Sequence, residues 1–217
     1  MLDEADTSRR FSRILTVVSV ALLFWALFPR PYYLAMLANL ALVAFAYLLL
    51  LTGRGGVAPA NDSKEIRLAM PLLFSGLALV LRTNTDVLLL SQAQAGVYAL
   101  AGAAVLAFVV ACVNRKDRKT APFVMLLLLP SVLGGGIYAD TALDRSTPRT
   151  FHAYVRRKKI SRGKHTRHVL TLGPWGPRDE ETEEVPRSVY DRVQEGERVS
   201  IQLYPGRLGV SWFSIAP

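Results

Sequence analysis

One cysteine, Cys112, in 217 residues excludes an intrachain disulfide and any site built from several thiolates, and it leaves the redox compartment open. Histidine is nearly as scarce. His165 and His168 form H-x-x-H, but residues three apart on a strand point to opposite sides, no third ligand stands nearby, and His152 is alone. No metal site is therefore expected. Catalytic signatures are missing too: there is no H-E-x-x-H, no G-x-S-x-G, and the GGG at 134–136 lacks the Lys-Ser/Thr that completes a phosphate cradle. Charge is missing from long stretches of the first 138 residues. Tyr33 to Leu51 contains none, and nineteen apolar residues can cross a hydrocarbon core of about 30 Å.

What is present is divided unevenly. Hydrophobic residues make up 51% of the chain, yet the last 79 residues hold 24 of its 43 Lys, Arg, Asp and Glu side chains. This predicts an α-helical transmembrane region of about five helices over 1–139 and a small soluble β domain over 150–217. The spans fall near 14–28, 33–51, 68–81, 96–113 and 122–138. The first follows Arg9, Arg10 and Arg13 like a signal peptide, but Pro29, Arg30 and Pro31 replace a cleavage site, so it reads as an uncleaved anchor. SRRFSR at 8–13 misses the twin-arginine spacing and reads as anchoring charge. In the fourth span Ala99, Ala103, Ala107 and Ala111 recur every fourth residue, a face for close helix packing. In the fifth, Pro130 and Gly134 to Gly136 predict a kink or loosening.

Basic residues then separate two sides. The N-terminus has three, the loop after the second span has Arg54, Lys64 and Arg67, and the loop after the fourth has Arg115, Lys116, Arg118 and Lys119; the alternate loops have only Arg30 and Arg82. Five crossings with a cytoplasmic N-terminus satisfy this distribution and place the C-terminal domain in the periplasm of a bacterial inner membrane. The span at 68–81 is short and carries Pro71, so a re-entrant segment, with the C-terminal domain inside, is the alternative. The spans hold almost no ionisable residues, which argues against a transporter or channel. Arg82 and Asp86 form an interfacial pair.

From Thr150 the pattern shortens to TFHAYVRRKKI, HTRHVLTLG, RVSIQLY and LGVSWFSI, four β-type stretches that suggest a barrel or curled sheet of OB or SH3-like size. SRGK joins the first two, and Gly163 supplies the turn of a hairpin. Alternation puts Phe151, Ala153 and Val155 on one face, with Arg157 and Lys159 continuing it. The expected core is Val155, Val169, Leu170, Leu172, Val199, Ile201, Leu203, Val210 and Trp212. SVYDRVQEG at 188–196 predicts a short helix capped by Ser188 and stopped by Gly196, and YPGR predicts a tight turn. Arg156, Arg157, Lys158, Lys159, Arg162, Lys164 and Arg167 gather at the hairpin tip as the candidate binding site, with the acidic run Asp179 to Glu184 as an internal partner.

The helices followed by GGGIYADTALDRSTPRTFHAYVRRKKISRG, the GPWG loop and GERVSIQLYPGRLGVSWF resemble bacterial multi-pass inner-membrane proteins that end in a small β domain of unassigned function. That resemblance implies no catalytic residues and no cofactor. The expected function is non-enzymatic binding or assembly, with membrane lipid, an envelope protein or a second copy as partner, and no nucleic acid. Two alternatives stand beside it: a membrane-embedded enzyme or lipid-handling protein using Asp140, Asp144, His152 or Arg82, and an immunity protein against a membrane-acting toxin.

Overall fold

The computed structural model describes residues 2–28, 32–57, 66–162 and 166–216, which divide into a helical unit and a β unit. The helical unit contains α1 (Leu2–Leu27), α2 (Tyr32–Leu51), a two-residue parallel pairing of β1 (Gly55–Gly56) with β2 (Ile66–Arg67), α3 (Ala69–Asp86), α4 (Gln92–Val113) and α5 (Ala121–Leu143). A 3₁₀ segment, Arg115–Thr120, joins the last two helices. Four of the helices, all but α3, are long and apolar enough to cross a membrane, and their outward faces carry large apolar side chains such as Val17, Phe24, Leu48, Val105 and Phe108.

Helix α3 has the more mixed composition and occupies the interior, packing along α1 and α2. Pro71 does not break it, because first-turn positions have no intrahelical acceptor to lose. Its N-terminal end is fixed by Leu68 N–H donating to Gly56 O at 3.0 Å and by Arg67 N–H donating to Ser12 Oγ at 2.9 Å. At its other end the Arg82 guanidinium lies 3.6 Å from the centroid of the Tyr32 ring, at the start of α2. Eighteen residues at 1.5 Å rise give about 27 Å, shorter than the other four helices of the unit. Arg82 also makes the expected pair with Asp86, through two bonds of 2.7 Å.

Where α3 meets α5, small residues let the backbones approach. A Cβ added at Gly134 would lie 2.4 Å from backbone atoms of Leu79 and Val80, and one at Gly76 would lie 2.8 Å from Ser131 Oγ. Thr83 Oγ1 crosses the same interface to Gly134 O at 3.1 Å. Helix α5 is continuous through Pro130 and the three glycines, and Gly134 serves close contact. The helix also runs further than expected, so Asp140 lies within it and is buried at 1% exposure. The alanine face of α4 is buried at Ala95, Ala99, Ala103 and Ala107, one turn earlier than the sequence alone placed its start.

The β unit is a curled antiparallel half-barrel of six strands: β3 (Leu88–Leu89), β4 (Arg149–Arg162), β5 (Thr166–Leu172), β6 (Glu181–Glu184), β7 (Arg198–Tyr204) and β8 (Trp212–Ala216). Their order is β3-β8-β7-β4-β5-β6. Long strand β4 pairs first with β7, over Arg149 to Tyr154, and then with β5, over Val155 to Arg162. The hairpin is thus formed down to Arg162 opposite Thr166; its turn residue Gly163 lies outside the described residues. Strand β3 comes from the connection between α3 and α4, so Val87–Leu90 belong to the β unit although 53 residues separate Leu90 from Asp144.

The core holds Ala153, Val155, Leu170, Leu172, Val199 and Ile201, closed by Trp175 and Phe213. Two expected core residues face the other way. Trp212 is one residue out of phase, because Phe213 pairs with Leu203 and points inward while Trp212 stacks on Tyr204 at 4.1 Å. Val169 lies outward with Lys159, its register partner. The short helix α6 is Arg187–Tyr190, and its cap position is Pro186 with Ser188 inside the helix. Its lone turn is too short for the predicted span. Gly196, at φ +82°, and Gly206, at φ +76°, occupy positive-φ turns that glycine adopts without a Cβ clash.

Candidate functional site

The basic hairpin is sorted by a β-bulge. Val155 pairs with Leu172 but Arg157 pairs with Thr171, so one extra residue, Arg156, is accommodated and the side-chain phase reverses. Arg157 and Lys159 consequently do not continue the face of Ala153 and Val155; Lys158 does. This corrects the simple alternation expected from the sequence, which had no way to count the bulged residue.

Lys158 is turned inward and used up. Its Nζ donates to Tyr190 O at 2.7 Å and to Val193 O, and it sits 4.3 Å from the centroid of the Tyr190 ring. Its backbone N–H donates to Glu195 Oε1 at 2.6 Å. The ammonium therefore satisfies carbonyls at the C-terminal end of α6, where a cation is favoured. His168 lies on the same inner face, with its ring 5.1 Å from that of Tyr190.

The remaining candidates separate. Arg156, Arg157, Lys159 and Arg167 are exposed. Arg167 approaches Glu184 at 3.7 Å, with both side chains more than half exposed, so the acidic run absorbs a small share of the charge. The backbone of Arg162 completes the hairpin pairing, whereas Lys164 and His165 lie outside the described residues. His152 is exposed on the outer face, opposite Ser200.

Most of the acidic strand is engaged elsewhere, in a cluster that sequence patterning did not signal. Arg178 pairs with Glu181 and lies 3.9 Å from Glu183, and Trp175 Nε1 donates to Glu181 Oε1 at 3.0 Å. Arg178 also donates to the carbonyls of Leu89 and Leu90 at 3.0 and 2.6 Å. Burial, reinforced by the neighbouring Glu181 charge, pushes the Glu183 carboxyl above its usual range, with Arg178 opposing. The only hint in the sequence was one arginine in GPWGPR.

Asp144 is a second fixed carboxylate. It accepts from Ser146 N–H at 2.9 Å, Gly206 N–H at 3.1 Å and Trp212 Nε1 at 3.2 Å. Hydrogen bonding from Ser146, then from Trp212 and Gly206, holds its carboxyl below the usual range despite partial desolvation. Asp144 thus fastens the start of the β unit to the β7–β8 connection and to Trp212. Among the described residues no cluster of three or more His, Cys, Asp or Glu could hold a metal ion.

No protein-family model, curated protein or solved structure matches the chain.

Proposed function

We propose that the chain is a multi-pass inner-membrane protein that acts by binding or assembly and presents its β unit outside the cytoplasm. The observation that carries this reading is the incorporation of Val87–Leu90, from between two helices, as a strand of the β unit, held by Arg178. A domain completed by a strand that lies between two helices in the sequence depends on the helical region for one of its own elements. Chemistry needs converging reactive groups, and two of the four side chains named for it are committed elsewhere, Asp144 to backbone and indole donors and Arg82 to Asp86. Four crossings are supported by α1, α2, α4 and α5, and α3, with Arg67 before it bonded to Ser12 of α1 and its Arg82 over Tyr32 of α2, is taken as the fifth.

Two measurements test the reading. Reporters active on one side of the membrane, fused after residues 55, 90, 118 and 150, should report the cytoplasmic side at 55 and 118 and the opposite side at 90 and 150. A cytoplasmic signal at 150 overturns the placement. Crosslinking in intact membranes should then capture a defined partner or a second copy through the β unit, and capture of neither at both low and high salt removes the binding reading.

A further inference from the structure

Register assigns Arg157, Lys158, Lys159 and Arg167, four cations of the basic run, to a face. Outward from the half-barrel lie Arg157 opposite Thr171, Lys159 opposite Val169, and Ser161 opposite Arg167. Tyr154, 58% exposed and opposite Arg198, continues this face before the bulge. Glu184 is the one acidic side chain on it among the described strand residues, and it already faces Arg167. The inner face takes Lys158, which donates to backbone carbonyls, and Glu181 and Glu183, which face Arg178. The bulge therefore does more than bend β4: it separates structural charge from presented charge, leaving Arg157, Lys159, Arg167 and Arg198 around an exposed tyrosine.

The geometry points to this outer face as a docking surface for the anionic phospholipid headgroups of the membrane that the helices occupy, a conclusion that rests on the β unit working at a membrane surface. Charge complementarity supplies one argument, since guanidinium groups match phosphate oxygens in pairs of hydrogen bonds. Chain reach supplies the other. One residue, Val87, joins α3 to β3; two join β3 to α4; and five, 144–148, join α5 to β4. At about 3.5 Å per residue the longest of these reaches roughly 20 Å, so the headgroup layer is an anionic surface permanently within range. A tyrosine among cations suits the boundary between apolar and wet layers. The register places the face; lipid supplies its phosphates.

The test uses the full chain in nanodiscs. With the exposed Cys112 replaced (C112S), a cysteine introduced by S161C carries an environment-sensitive fluorophore on the outer face. In discs containing phosphatidylglycerol its emission should shift to the blue relative to pure phosphatidylcholine discs, and salt at about 0.5 M should abolish the shift through screening. The R157E/K159E/R167E variant should lower the docked-to-undocked ratio on the order of a hundredfold, about fivefold per cation removed. R157K/K159R/R167K, which keeps the charge, should retain the response and controls for folding. Equal emission in both disc types at low salt overturns the inference, as does a response to soluble polyphosphate that anionic lipid fails to reproduce. If the parent chain gives equal emission in both disc types yet still crosslinks to a protein partner through the β unit, lipid docking fails while the binding function stands.

Discussion

The guanidinium of Arg178 donates to the carbonyls of two consecutive residues, Leu89 and Leu90, that enter the β unit from a connection between helices. Strand β3 is only two residues long and its own ladder is short, so this side chain is the main polar anchor of the edge. R178A should destabilise the β unit by about 2–3 kcal/mol, the scale for losing charge-assisted hydrogen bonds at a partly buried site. R178K should recover part of that, since an ammonium cannot reach two carbonyls and a carboxylate in one plane. Hydrogen exchange at Leu88 to Leu90, measured beside denaturant unfolding, checks both. Unchanged protection there would contradict the anchor.

Lys158 and Lys159 are neighbours in sequence with opposite duties. K158A should cost about 1–3 kcal/mol, because two carbonyls and a backbone turn lose a charged donor. K159A, R157A and R167A should each fall within about 0.5 kcal/mol of the parent, as exposed substitutions do. Thermal unfolding of the four variants separates them, and equal losses would dissolve the distinction between inner and outer faces.

The two perturbed carboxyls should shape the pH dependence in opposite directions. Glu183 is raised in the folded protein, so the folded state holds its proton longer: that contribution is complete below the unfolded value and is lost as pH rises through the folded one. Asp144 is lowered, so its contribution is present above the unfolded value and disappears as pH falls through the folded one. D144N should flatten the acid side of the stability profile, and E183Q should remove a loss that sets in as pH rises above the ordinary glutamate range. Stability profiles of the two variants provide the check.

Within the helical unit, G134A and G136A should differ sharply. The first places a methyl against the backbone of α3 and should cost about 1–3 kcal/mol as overpacking. The second points into open space and should be neutral or slightly stabilising, because alanine favours helix. Thermal stability in detergent distinguishes them.

Much of this architecture was legible because long apolar helices and alternating strands write strong signals. Tyr33 to Leu51 could hardly be anything but a helix, and the alternations at 150–160, 166–172 and 198–204 landed on real strands. What escaped depended on events that periodicity cannot encode. The bulge at Arg156 inverted every assignment beyond it, a one-residue shift that moved Lys158 inward. Trp212 and Phe213 are adjacent and both aromatic, so only pairing with Leu203 decides which is buried. The Arg178 cluster required a strand from 88–89, and two residues are too few to alternate. Among the candidate cations the sequence found the group but could not tell presented charge from bonded charge.

Strand β3 also imposes an order of events in time. Leu88 and Leu89 are synthesised long before Phe213, the residue that covers Leu88, and about 125 residues at 5–20 per second amount to roughly 6–25 s. During that interval a short apolar stretch waits, unpaired, for a sheet not yet made. Its brevity keeps that wait safe: two residues offer too little edge for a stray strand to capture, whereas lengthening β3 would gain pairing at the expense of a longer-lived sticky edge.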